Sequence, residues 1–280
     1  MRELSALLSP STVRSVAVGA PNDVASRGAE LLISNSLMLP GEGLSVGLRR
    51  LAQRLESTYR TEQVYKNRLV SKLLFGVHKI STATILQEFR VESSVADVVL
   101  INGSGHVFEI KTELDNSIKL AKQLADYRRA FRLISIVTHH SLADKYADLI
   151  EGTNVGLVVW TPRKTLSTRV AAVESSSHLD VMTMMQCLRK DEYTDIVHRV
   201  TGRPIDVPNT QRFRTYAEAT REIPAKVYSV LMEGQLRKRG VAAADLIGDQ
   251  RLIPIRAAVL KVNPSAAQME RILKWLDGGQ

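Results

Sequence analysis

ADVVLINGSGHVFEIKTELDNSIKLAKQLADY, residues 96–127, decides how the rest of the chain is read. Ala96–Ile101 and His106–Thr112 have the apolar, β-branched composition of strands, and Asn102–Gly103 between them is a turn signal. Two acids interrupt these runs: Asp97 opens the first strand and Glu109 sits inside the second. Aspartate is disfavoured in strands, and a charge at a buried strand position is costly unless paired or metal-bound. Lys111 follows Glu109 by two residues, so strand alternation puts both on one face. Gln123 and Tyr127, at i and i+4 of the next helical segment, share a face too.

The hairpin register tests this grouping. A symmetric turn pairing Ile101 with His106 would set Asp97 opposite Ile110 and leave Glu109 on the other face. Bringing both carboxylates together requires a shift of one residue, hence an odd-length turn or a glycine bulge within Asn102–Gly105.

Such a cluster suits phosphodiester hydrolysis, which needs an activated water, a Lewis acid and stabilisation of developing negative charge. Mg²⁺ does much of this when carboxylates hold it with open positions, and Mn²⁺ is the expected substitute. Asp97 and Glu109 are the expected ligands, with the Ile110 backbone carbonyl as a third donor. Lys111 offers an ammonium to position water and stabilise charge. Gln123 and Tyr127 offer an amide and a phenol for phosphate.

Outward from this stretch, residues 1–60 read as helical. Leu48, Leu51 and Leu55 recur at helical spacing, and Arg49, Arg50, Arg54 and Arg60 form a candidate phosphate patch. Residues 61–75 continue as helix, and 85–91 reads as a strand. Beyond Tyr127 follow strand 132–138, helix 141–151 and strand 154–160, so the segment predicts an α/β sheet of mixed direction. Residues 163–178 are polar and read as a linker or edge segment. Helical pieces at about 180–200, 211–221, 225–239 and 265–277 complete the chain. Three segments result: a helical flank (1–55), a core (56–165) and a mainly helical region (166–280).

Composition narrows the classes further. The chain has 280 residues, 44% hydrophobic and 24% charged, with net charge +9. Residues 1–80 carry 11 Lys+Arg against 6 Asp+Glu, 81–200 carry 14 against 15, and 201–280 carry 13 against 8. Basic flanks around a near-neutral centre suit a polyanionic partner. No apolar run reaches the roughly 18 residues of a membrane span. The N-terminus makes a poor signal peptide, and the single cysteine, Cys187, excludes an internal disulfide, so the cytoplasm is the expected compartment. His139–His140 lacks Cys/His partners at zinc-ligand spacing, and no phosphate-binding glycine loop is present.

The string Asp97…Glu109-Ile110-Lys111 resembles the PD-(D/E)XK nuclease superfamily, and Gln123/Tyr127 is similar to the QxxxY motif of its RecB-like branch. EFRV (88–91), ADVVLING (96–103), EIKTELD (109–115) and QLADYRRAF (123–131) resemble stand-alone bacterial and phage proteins of that superfamily. Ala96 stands where the superfamily name places proline. The resemblance, covering about 56–162, implies a restriction-endonuclease-like fold, a Mg²⁺-dependent nuclease most expected on DNA, and a role in phage–host conflict or DNA repair. It also implies an acid on the helix before the first strand: Glu62, ahead of Glu56. Glu88 is a further candidate. Two-strand cleavage would suit a homodimer. The alternatives are a catalytically inactive nucleic-acid-binding protein on the same fold and an RNA-cleaving toxin.

Overall fold

The computed structural model describes residues 1–77, 82–202 and 207–278. Its first helices are α1 (Arg2–Ala6), α2 (Pro10–Ala17), α3 (Asp23–Ser26), α4 (Gly28–Ser34), α5 (Leu44–Thr58) and α6 (Glu62–Ser71). Strands β1 (Thr84–Val91), β2 (Ser94–Asn102) and β3 (Ser104–Lys111) follow. Then come α7 (Leu120–Arg128), β4 (Leu133–His139), α8 (Ala143–Ile150), β5 (Gly156–Trp160) and β6 (Leu166–Val170). Helices α9 (Val181–Gln186), α10 (Lys190–Thr201), α11 (Asn209–Arg221), α12 (Ala225–Arg237), α13 (Arg256–Val262) and α14 (Ala266–Leu276) complete the chain.

The strands form one six-stranded sheet in sequential order. β1, β2 and β3 are antiparallel, β3, β4 and β5 are parallel, and β6 returns antiparallel as the edge. The fold is thus a mixed α/β sheet flanked by helices, with helical N- and C-terminal regions, as expected. The polar segment after Pro162 is the edge strand β6. Among the described residues no helix is long and apolar enough to cross a membrane.

The chain packs as two compact units, one comprising Met1–Thr82, Thr112–Leu114 and Gly240–Gln280, the other Ala83–Lys111 and Asp115–Arg239. In the first, α5 buries Leu44, Leu48, Leu51 and Leu55 at helical spacing, so one stripe of the helix is core and the opposite face carries its arginines. The N-terminal helices, read from sequence as a separate flank, share this unit with α13 and α14. Pro254 and Pro264 bracket α13, and these helix-breaking signals concealed it.

The second unit holds the sheet. Val99, Ile101, Val107, Ile134, Ile136, Leu157 and Val159 line one core with Leu120, Leu124 and Tyr127 of α7, Tyr146 and Ile150 of α8, and Met184, Tyr228, Met232 and Leu236 from the C-terminal helices. Residues 166–239 therefore complete the sheet domain. The buried Glu233 of α12 accepts the Gly105 N–H at 2.8 Å and Arg132 Nη2 at 2.8 Å, joining the start of β3 to that of β4.

His106 stands near the β2–β3 turn, yet it stacks on Phe108 with ring centroids 4.1 Å apart, and its Nε2 lies 2.9 Å from Ser135 Oγ. Burial lowers its pKa to about 4. The unfolded chain, with an imidazole near the ordinary value of about 6.5, then binds more protons than the folded one across that interval. This contribution is fully present above about pH 6.5 and is lost as pH falls toward 4. His106→Gln should flatten the acid limb of stability between those values, read from urea midpoints of both chains at each pH.

Gly105 gives a second stability test. A Cβ there would lie 2.6 Å from Phe131 Cδ1 and 3.2 Å from Glu233 Oε1, so Gly105→Ala forces the ring and the carboxylate apart. A loss of about 1–3 kcal/mol is expected in urea unfolding, the usual cost of overpacking.

Candidate functional site

The β2–β3 turn is the odd one that the carboxylate grouping requires. Asn102 pairs with Ser104 and Ile101 with Gly105, leaving Gly103 alone at the tip with φ +78°. That left-handed conformation is readily accessible to glycine. The ladder continues through Val98 opposite Phe108, and one further step sets Asp97 across from Glu109. Both side chains thus belong to one face, with Lys111 beyond them.

Glu109 is 2% exposed and Lys111 8%. Burying such charges is costly, so their partners decide whether the arrangement holds. Lys111 Nζ donates to Glu109 Oε1 at 2.8 Å and to Gln123 Oε1 at 2.9 Å. Gln123 Nε2 donates to the same Glu109 oxygen at 2.5 Å, closing a ring of three side chains. The Tyr127 hydroxyl lies 2.8 Å from Glu109 Oε2 and 2.9 Å from the Val95 carbonyl; its single proton serves one of them at a time. Burial raises the phenol's pKa above its ordinary value, and the Glu109 charge adds to the effect. Asp97 Oδ2 accepts the Ile110 N–H at 2.7 Å, fixing the strand aspartate against its neighbour's backbone. Thr138 of β4 donates to the Lys111 carbonyl at 2.7 Å.

One residue gains weight from the backbone. Gln87 pairs with Val98 and Phe89 with Ala96, so the register places Glu88 across from Asp97 on its other side. Glu88 has φ +52°, an uncommon value for a non-glycine residue inside a strand. Glu88, Asp97 and Glu109 thereby occupy one row across three strands. Sequence alone gave Glu88 second place because side-chain alternation on its own strand carries no cross-strand register. Among the described residues, no three or more His, Cys, Asp or Glu side chains converge closely enough to hold a metal ion.

The oxygen donors that the register sets across from one another are the carboxylates of Asp97 and Glu109. Hard oxygen donors from one or two carboxylates suit Mg²⁺, which keeps several waters of its own. Glu109 Oε1 already accepts two hydrogen bonds and Oε2 one, so a cation there would compete with Lys111 and Gln123 for lone pairs. Glu62, the acid implied on the preceding helix, lies in the first unit at the start of α6, 2.5 Å from Lys66 Nζ. Glu56 lies 3.7 Å from Arg68.

The basic clusters are largely occupied. Arg50 holds Glu42, and Arg60 holds Glu113, which also accepts the Tyr65 hydroxyl. Arg49 and Arg54 donate to the carbonyls of Gln250 and Asn35. In QLRKRG (235–240), Lys238 lies 3.4 Å from Asp195 and Arg239 pairs with Glu192. Apart from Glu42, eight residues before Arg50, these partners stand far away in sequence, so the chain pattern gave no sign of them.

Tyr127→Phe should leave Glu109 short of one donor and cost about 1–2 kcal/mol in urea unfolding. A Gln123→Leu change alongside it should cost less than the sum of the two single changes, since both donors serve one carboxylate.

The family described as Bacteriophage P4 protein cII matches residues 55–239, which include every member of the cluster just described. No curated protein matches the chain. A solved structure of a protein of unknown function from Silicibacter pomeroyi is similar over 45% of this chain and 86% of its own, with 11% identity and a TM-score of 0.30.

Proposed function

We propose that this chain, which belongs to the bacteriophage P4 protein cII family, is a divalent-metal-dependent nuclease acting on DNA. The observation that carries the reading is the odd β2–β3 register, which gathers Asp97, Glu109 and Lys111 on one face beside Gln123 and Tyr127. Asp97 and Glu109, with the Ile110 carbonyl, would hold Mg²⁺ or Mn²⁺. When bound, that cation supplies an acidified water and neutralises charge on the scissile phosphate.

The remaining roles belong to the protein's own groups. Lys111, released from Glu109, orients the attacking water and stabilises charge on the phosphoryl oxygens. Gln123 touches both Glu109 and Lys111, so it sets the distance between them and can turn its amide to phosphate once Lys111 moves. Tyr127 is fully buried with its hydroxyl on Glu109, which makes it a positioning residue for that carboxylate. Glu88, in the same cross-strand row, is the nearest additional acid by register, and Glu62 belongs to the other unit. Membership of a bacteriophage family fits a role in phage–host conflict, and a homodimer would supply the two sites that double-strand cleavage needs.

One observation favours a second reading. The 2.8 Å Lys111–Glu109 pair neutralises the carboxylate that would bind metal, as a non-catalytic nucleic-acid-binding protein on this fold would have it. Incubation with plasmid, single-stranded DNA and total RNA, each with Mg²⁺ or Mn²⁺, separates the possibilities. Cleavage of DNA supports the nuclease, cleavage of RNA alone transfers the chemistry to an RNA-cleaving toxin, and retention without cleavage supports the binder. Lys111→Ala and Asp97→Ala should each reduce hydrolysis at least about a hundredfold while the far-ultraviolet spectrum is unchanged. Full activity in both variants would sink the assignment.

A further inference from the structure

The sheet unit contains a cavity of about 210 Å³ at the ends of β4 and β5 away from Lys111, beside the C-terminal end of α7. Its inner wall is apolar, formed by Phe131, Ile134 and Val155, all buried. Arg128, Asn154 and His178 also line it, and no acidic side chain does.

The three arginines near this cavity differ in their partners. Arg129 pairs with Glu92 and Asp180, and Arg132 with Glu174 and Glu233. Arg128, half-buried, has no carboxylate partner among the described residues. A guanidinium withdrawn from water needs an anionic or strongly polar partner, and the fork geometry of Arg suits a phosphate. The same cavity is lined by Phe131, Ile134 and Val155, an aromatic ring and two branched side chains, the apolar surface that a base can pack against. At about 210 Å³ the cavity is smaller than ordinary drug-sized sites of roughly 300–1,000 Å³, a size for one compact unit.

We propose that this cavity binds one nucleotide unit, its base against Phe131, Ile134 and Val155 and its phosphate on Arg128 with His178 at the rim. Asn154 supplies hydrogen bonds to the base edge. If the nuclease reading holds, this is a substrate subsite, because α7 carries both Gln123 and Arg128. Those two residues are five apart, roughly 7.5 Å along the helix axis. Ile134 precedes Ile136, the β4 partner of Glu109, by two residues, or about 7 Å along the strand. A strand whose scissile phosphate meets Asp97 and Glu109 would therefore place a neighbouring nucleotide at the cavity.

The test is independent of cleavage. The Lys111→Ala chain, without added metal, is titrated with free dAMP and with a trinucleotide containing 2-aminopurine. Anisotropy and quenching of the 2-aminopurine emission follow the trinucleotide, and ligand-detected NMR follows dAMP. Adding Arg128→Ala should weaken binding at least tenfold, and Val173→Trp, which fills the cavity from its exposed rim, should abolish the quenching. Binding of the trinucleotide alone with this dependence assigns the cavity to a strand, and binding of dAMP with the same dependence assigns it to free nucleotide. Affinity and quenching unchanged in both variants, or no binding by either ligand, would overturn the proposal.

Discussion

The site depends on the pairing register between β2 and β3, fixed at one glycine. Gly103 closes the hairpin alone with φ +78°, so the residues facing each other have the odd offset that sets Asp97 against Glu109. A slip of one residue would send Glu109 to the opposite face of the sheet. Everything else in the cluster takes its place from that pairing: Lys111 by strand alternation, and Gln123 and Tyr127 because α7 packs over the same face. Pairing across β1 extends the row to Glu88, at a backbone conformation that few glutamates adopt. Strain of this kind persists where its surroundings over-determine it, and here both flanking pairs of the ladder are intact.

A buried carboxylate must be surrounded by donors, and the two sequence motifs divide that work between them. Lys111 and Gln123 share Glu109 Oε1, Tyr127 reaches Oε2, and Gln123 Oε1 takes a second proton of the Lys111 ammonium. The Glu-x-Lys pair on β3 and the Gln-x-x-x-Tyr pair on α7 thus form one hydrogen-bonded unit. Such networks are worth most when fully satisfied. Lys111 thereby has two partners, the Glu109 carboxylate and the Gln123 amide oxygen, so its buried charge does not rest on one contact.

Much of this was legible in the chain, because strand alternation, helix spacing and a glycine turn are local rules. The strands β1 to β5 follow from them, whereas the odd register was demanded only by the carboxylate grouping, and the polar segment that holds β6 read equally as a linker or an edge. What was not legible is non-local. The union of the N- and C-terminal helices in one unit leaves no pattern in either segment, and α13 hides between two prolines. Arg60 meets Glu113 only after folding and Arg50 meets Glu42, so the arginine cluster that looked available for phosphate is mostly engaged. His106 stands near a turn, and parallel pairing to β4 brings Ser135 to its ring, a contact that no local pattern announces.

These ion pairs alter what the positive charge can do. By unit, the charge is spread evenly: the first carries 16 Lys+Arg against 11 Asp+Glu and the second 22 against 18. Pairing leaves those totals at +5 and +4, so the long-range attraction for a polyanion survives. Close contacts differ, since a guanidinium held by a carboxylate must break that pair before it can grip a phosphate. Steering thus belongs to the whole surface, whereas gripping falls to cations that folding leaves uncommitted, and Arg128 at the cavity is one of these. An approaching nucleic acid would be attracted by many charges and fixed by few. For the proposed nuclease, that division favours encounter that slows as salt screens the surface, with few phosphates gripped and so a shallow salt dependence of the affinity itself.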